Sequence, residues 1–359
     1  KKKKLLPYVL IPLILLFAFV SFRYNVGGDW KAYFNNFNEQ KDNLLKFNYF
    51  EAKNFFITII SWYFSNFFDS IVFQNVFLSI IFFSSFFLFI QKNVKHKISS
   101  IIILFPIGVL LLLMGYQRQA LALSFLFLTI TSFSYGYRLF FSVFFILGFL
   151  SHFSFIVFTP LLILLTFNNL LLKFNIAIYN ILSSFKVKVF LILFFLLLLL
   201  INLIFYNFQI FDTKYISNLL SNDFLPYFIY YLPDKIQSRG STIRIVLSLL
   251  SLFILLIFYE KLINKKNENI LFLFYILFFV FLLFSNIFLF TTISDRFGFY
   301  TIPFQIIVIT RCIYLYEKKY YFVKHLLLLP YVIYLFIWLQ FSIYSRDDWY
   351  PYTTFLDFK

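Results

Sequence analysis

Long apolar runs rich in Leu, Ile and Phe recur along this chain, at residues 5–22, 70–90, 98–115, 119–135, 139–151, 153–170, 188–206, 242–259, 270–290, 299–316 and 325–344. A helix needs about 20 apolar residues to cross the ~30 Å hydrocarbon layer of a bilayer, and most of these runs are close to that. Backbone groups in lipid must satisfy one another, so each run is expected to be helical. The pattern predicts an all-α polytopic membrane protein with about 11 transmembrane helices. Residues 52–69 (AKNFFITIISWYFSNFFD) are also apolar, but a crossing there would reverse every later segment. A re-entrant or interfacial helix is expected instead. The pair 139–151 and 153–170 is broken at Ser151-His152, and its first half is short, which puts His152 below the outer surface within the membrane. No internal repeat is seen, and no soluble stretch is large enough to fold alone. The chain reads as one integral membrane domain over 1–359, with outer loops at 23–51 and 207–241 and an outer tail at 345–359. Loops of that length in a compact protein are usually functional.

Charge orients these segments. The short stretches 1–4, 91–97, 136–138, 171–187, 260–269 and 317–324 alternate to one side. With Lys188 and Arg311 counted at inner helix ends, they hold 18 of the 31 basic residues and only three acids, Glu260, Glu268 and Glu317. Basic short loops stay cytoplasmic, so this side is inside and the other faces out. The net charge of +16 is thus a matter of topology and not of nucleic-acid binding. Composition adds little else: 62% hydrophobic residues, a mean hydropathy of +0.86, and 60 Phe and 26 Tyr that look like base composition of the genome. One cysteine, Cys312, and three histidines exclude a disulfide framework and a cysteine-rich metal site. The chain opens on four lysines without Met, and a preceding segment is expected.

The unusual polar residues then gather at outer helix mouths. Arg23, Asp29 and Glu51 lie in the first outer loop, Arg118 and Gln119 at a turn between spans, and His152 at the broken hairpin. Arg239 and Arg244 end the second large loop, and Asp295-Arg296 opens a late span. Ionisable groups at membrane depth are costly and usually face a cavity. Several arginines on one face suit an anionic substrate, because the guanidinium grips phosphate bidentately. Plainer readings stand beside these. Arg23 fits a snorkelling anchor, Asp29 a turn after Gly27-Gly28, Asp295-Arg296 a local ion pair, and Trp30 and Tyr33 an interfacial belt or a sugar platform. No P-loop, metal-ligand constellation, serine elbow or dinucleotide fingerprint is present, so chemistry here would use a donor that arrives already activated.

The ordered motifs resemble the EpsG-type (Wzy-like) polysaccharide polymerases. FRYNVGGDWKAYF is similar to their first-loop signature through Arg23, Gly27, Asp29, Trp30 and Tyr33, with Gly28 and Trp30 as departures in residue type. FEAKNFF matches through Glu51, with Ala52 in place of Pro. GYQRQALALSF matches through Arg118, Gln119 and Leu121-Ala122, and LSHFSFIVFTP through His152, Ser154 and Pro160. DRFGFYTIPF resembles a late element through Arg296 and Tyr300, and WYPYTTF the aromatic tail. The resemblance implies a multi-spanning arrangement like that of GT-C glycosyltransferases. It also implies polymerisation of polyprenyl-diphosphate-linked oligosaccharide repeats on the outer face of the bacterial cytoplasmic membrane. Arg118 and Arg296, with Arg23 and Arg239 behind them, are then expected to bind the diphosphate. His152, Asp29 and Glu51 compete as the base, with the lean to His152, and Trp30, Tyr33 and Gln119 would contact glycan. No cofactor or metal is implied. Expected partners are the lipid-linked oligosaccharides, membrane lipids, a chain-length regulator and a flippase. An O-antigen ligase uses the same donor and stays open. A flippase fits less well, since the inner halves of the spans are nearly pure Leu, Ile and Phe.

Overall fold

The computed structural model describes residues 6–41, 55–68, 70–160, 177, 179–208, 241–263, 268–288 and 291–358. The described chain is almost entirely helical and divides into two compact units, residues 1–156 with 313–359, and residues 157–312. Five of its described helices are long and apolar enough to cross a membrane: Ile71–Asn93, Lys97–Gly115, Glu268–Asn286, Ser294–Tyr316 and Phe322–Phe341. Shorter apolar helices cover Pro7–Ser21, Phe55–Phe67, Arg138–Ser151 and Thr242–Ile257. The expected span at 153–170 and the outer loop at 207–241 fall mostly outside the described residues, as does the end of the loop at 23–51.

The first unit is built on α1 (Leu6–Ser21), α2 (Trp30–Lys41), α3 (Phe55–Phe67), α4 (Ile71–Asn93), α5 (Lys97–Leu104), α6 (Gln117–Tyr135) and α7 (Arg138–Ser151). Helix α5 runs on as a π-helix over Phe105–Gly115, with Pro106 in its first turn supplying no N–H to an α-helical frame. Helix α6 is the buried axis, lined by Leu121, Ala122, Leu123, Leu126 and Phe127. Its hydroxyls spare the core unpaired donors by bonding back one turn: Ser124 to the Ala120 carbonyl at 2.8 Å, Thr129 to Phe125 at 2.7 Å and Thr131 to Phe127 at 2.7 Å. Trp30, Phe37, Ile57, Ile60, Phe64, Ile71, Leu78, Leu121 and Phe125 pack into one cluster that ties α2 and α3 to α4 and α6. The helix within 52–69 has only 13 residues, about 20 Å at 1.5 Å per residue, too short for a full crossing. Helix α7 stops where the sequence placed a break, with His152 extended (φ −159°, ψ 127°) after Ser151.

In the second unit, α8 (Phe185–Phe208), α9 (Ser241–Ile257), α10 (Tyr259–Leu262), α11 (Glu268–Phe288), α12 (Thr291–Gly298) and α13 (Ile302–Tyr316, whose last turns belong to the first unit) enclose a polar core. Gln305 donates to Ser248 Oγ at 3.0 Å and Thr301 Oγ1 at 2.7 Å, and the Tyr275 hydroxyl donates to the Ser248 carbonyl at 3.0 Å. Arg311 forks onto Glu268 at 2.8 and 3.0 Å and reaches the Leu262 carbonyl at 2.8 Å. The first unit is completed by α14 (Phe322–Phe341) and α15 (Ile343–Trp349). Leu326, Leu329, Val332, Phe336 and Leu339 of α14, like Leu139, Phe140 and Ile146 of α7, are exposed. Apolar faces of that extent need lipid around them, which makes the chain a membrane protein.

Segments expected to share a face do meet inside each unit. His96 Nε2 lies 3.3 Å from Glu317 Oε2 in the first, and Lys188 Nζ 2.9 Å from Glu260 Oε1 in the second. At the opposite end of the first unit, Arg23 is 1% exposed and holds two helix ends together. Its guanidinium donates to the Val20 carbonyl at 2.7 Å, in the last turn of α1, and to the Leu113 carbonyl at 3.1 Å, in the last turn of the π-helix. Helix ends leave such carbonyls unsatisfied and partly negative, so one buried cation answers both. Burial pulls the Arg23 guanidinium down to about 10, which leaves it charged at neutral pH.

Two predictions follow from this packing. Gly27 has φ +122°, and a Cβ there would sit 2.1 Å from the Met114 carbonyl oxygen. Gly27→Ala is expected to cut the yield of folded protein several-fold in fluorescence-detected size exclusion, whereas Gly298→Ala, with open space at its Cβ, leaves it unchanged. Arg311→Ala strands Glu268 and is expected to cost about 3 kcal/mol in thermal unfolding of the solubilised protein, with Arg311→Met/Glu268→Gln recovering most of it.

Candidate functional site

The mouth of the first unit is assembled from three distant pieces of chain. Tyr116 breaks the run between the π-helix and α6 (φ −119°, ψ 67°), so α6 begins at Gln117 with Arg118 in its first turn. The loop from Ser21 to Asp29 folds over this break and starts α2 at Trp30. The C-terminal segment straps the loop from outside. Gly27 N–H donates to the Asp348 carbonyl at 2.8 Å, Tyr24 N–H to the Thr353 carbonyl at 3.0 Å and Phe355 N–H to the Phe22 carbonyl at 3.2 Å. Arg23 and Thr354 form an antiparallel bridge, Phe19 stacks on Tyr352 with ring centres 4.6 Å apart, and Tyr352 OH donates to the Phe19 carbonyl.

Within this frame Arg118, Tyr33 and Asp29 come together. The Arg118 backbone N–H donates to the Tyr33 hydroxyl at 3.4 Å. Burial raises the Tyr33 phenol above its usual range, while the Arg118 charge acts to lower it and Asp29 to raise it, so all three share one electrostatic neighbourhood. Arg118 is half-buried and Asp29 partly exposed. A guanidinium in the first turn of a 19-residue helix adds its charge to the positive end of the helix dipole, a combination that suits an anion. Behind it the Gln117 side chain donates to Asn75 Oδ1 of α4 at 2.9 Å. Gln74 and Asn75 are buried beside Ile71 and Leu78 at the start of α4, and Gln119 is buried in the first turn of α6.

The other sequence candidates have different surroundings. Arg23 is engaged by helix-end carbonyls, and its guanidinium lies 5.9 Å from the Trp30 ring centre. Trp30 and Tyr33 are both buried, Trp30 within the core cluster and Tyr33 beside Arg118. His152 Nδ1 accepts from the Ser154 backbone N–H at 3.2 Å, with Ser154 Oγ 2.6 Å away. Ser154 thus engages Nδ1 and fixes the orientation of the ring. In the second unit Asp295 pairs with Arg244, buried with it, and the Arg244 guanidinium lies 5.0 Å from the Phe299 ring centre. Arg296, one residue on in α12, is partly exposed. Glu51 and Arg239 lie outside the described residues. Among the described residues, no group of three or more His, Cys, Asp or Glu is placed to hold a metal ion.

Asp348 was not singled out by the sequence. Its Oδ2 lies 3.5 Å from where a Cβ on Gly28 would be, and the Trp349 ring packs against the same glycine and Gly115. The Asp-Asp-Trp run in the tail was visible, but nothing local ties it to a turn more than 300 residues earlier.

No curated protein and no solved structure matches this chain. The EpsG family model matches it over residues 6–354, from the first helix through the strap that closes on Arg23. The chain therefore belongs to the EpsG family, whose members are Wzy-like polysaccharide polymerases.

Proposed function

We propose that the protein polymerises polyprenyl-diphosphate-linked oligosaccharide repeats on the outer face of the bacterial cytoplasmic membrane. The observation that carries the reading is Arg118 at the positive end of α6, beside Tyr33 and Asp29. Arg118, in the positive first turn of α6, grips the donor diphosphate. The acceptor's non-reducing hydroxyl attacks the donor's anomeric carbon, the anomeric carbon–phosphate oxygen bond breaks, and the electron pair leaves with the lipid diphosphate. Charge grows on that leaving group as the bond stretches, which is where a preorganised guanidinium contributes most. The hydroxyl proton passes to a carboxylate of the Gly27-Gly28-Asp29 turn. His152, held at Nδ1 by Ser154, serves as a hydrogen-bonding group to substrate. One displacement inverts the anomeric centre. Arg296 of the second unit keeps its role as a phosphate ligand on the strength of the family motif alone and is tested by its own substitution. A flippase and a chain-length regulator are the partners such a reaction needs, to bring repeats across and to set product length.

The test is glycan length in a polymerase-deficient host, with membrane levels of each variant measured alongside. Wild type is expected to restore a long ladder. Arg118→Ala is expected to leave single repeats, a loss of about 100-fold or more in transfer, and Arg118→Lys to retain part of it. Single repeats joined to the outer acceptor in the wild-type strain would make it a ligase. Repeats left unjoined and unextended would overturn the reading.

A further inference from the structure

The strap brings to the mouth a carboxylate that no family motif named. Asp348 sits at the end of α15, where its backbone carbonyl takes the Gly27 N–H at 2.8 Å and its side chain reaches the Gly28 turn. The next residue in that turn is Asp29, which acts on Tyr33 and through it adjoins Arg118. A base must sit beside the diphosphate clamp without being neutralised by it. His152 Nδ1 is engaged by Ser154, Glu51 lies outside the described residues, and Asp348 and Asp29 meet at one turn.

We propose that Asp348 is a catalytic carboxylate of the transfer reaction, forming with Asp29 the pair that takes the proton of the acceptor hydroxyl. The inference rests on the polymerase reading. As the new bond from the acceptor oxygen to the anomeric carbon forms, the proton moves to the pair and the diphosphate departs with the electrons of the broken bond, so nothing further is consumed. Two neighbouring carboxylates ionise less readily together than apart, which makes the pair a stronger proton acceptor than either residue alone in water. The charges around Asp348 point the same way. Partial burial, Asp347 on its own helix and Asp29 across the turn raise it, and Lys31 of α2 lowers it.

Repeat addition is measured in membrane vesicles supplied with a lipid-linked repeat unit, from acid to neutral pH, with protein levels matched. Activity needs the ionised pair, so it falls as pH drops through the pair's raised titration. Asp348→Asn is expected to slow addition about 100-fold, and Asp348→Glu to restore a substantial part. Asp347→Asn and Lys31→Gln keep the neutral-pH rate but move the acid limb in opposite directions, to lower pH without Asp347 and to higher pH without Lys31. A strap with a purely mechanical role would not move that limb. Wild-type rate and an unmoved acid limb in Asp348→Asn would overturn the proposal. So would a loss in Asp348→Asn that Glu does not rescue, with the limb fixed in both neighbours' variants. If wild-type vesicles add no repeats, the polymerase reading itself fails, a distinct result.

Discussion

One guanidinium, buried between two helix ends, sets the geometry of the candidate site in the first unit. Arg23 neutralises the carbonyl ends of α1 and of the π-helix, where a membrane offers no water to do so. Because both carbonyls belong to regular helices, the loop that carries Arg23 has little freedom. Gly27 is pressed against Met114 and Gly115 closely enough that only a glycine fits there, and α2 begins at Trp30. Asp29 and Tyr33 are then delivered to the first turn of α6, where Arg118 stands. The tail closes over the loop by three backbone hydrogen bonds and brings Asp348 with it. Loss of that cation would leave two helix ends unsatisfied at once.

The division of labour among the arginines follows from what each touches. Arg23 and Arg311 serve helix-end carbonyls and, for Arg311, a glutamate, while Arg244 is taken by Asp295. Such groups are expensive to desolvate, and the contacts these three make are with the protein itself. Arg118 differs: half-buried, at a positive helix end, beside a hydroxyl and a carboxylate. It is the arrangement that fits an enzyme whose donor brings its own leaving group, consistent with a polysaccharide polymerase of this family.

Hydropathy made the helices at 71–93, 97–115, 268–286, 294–316 and 322–341 legible, since runs of Leu, Ile and Phe have one stable form in lipid. The break at His152 and the short helix at 55–67 were legible for the same reason, in the polar residues that interrupt the run or the length that falls short. Charge had put 91–97, 171–187, 260–269 and 317–324 on one face, and His96 lies beside Glu317 in one unit and Lys188 beside Glu260 in the other. What local pattern does not encode is partner choice. Asp295, read in the sequence beside Arg296, pairs with Arg244, 51 residues away. Arg23 looked like a snorkelling or phosphate-binding residue, and its use depends on where Leu113 ends its helix. Asp348 reaches Gly28 only because the tail folds back across the whole unit.

The most direct test of the account is reconstitution: purified protein in liposomes, given only a synthetic polyprenyl-diphosphate repeat unit, with chelator present and no nucleotide sugar. The account predicts a ladder of extended glycans and one released polyprenyl diphosphate for each repeat joined. Absence of extension, or extension only when a nucleotide sugar is supplied, would contradict it.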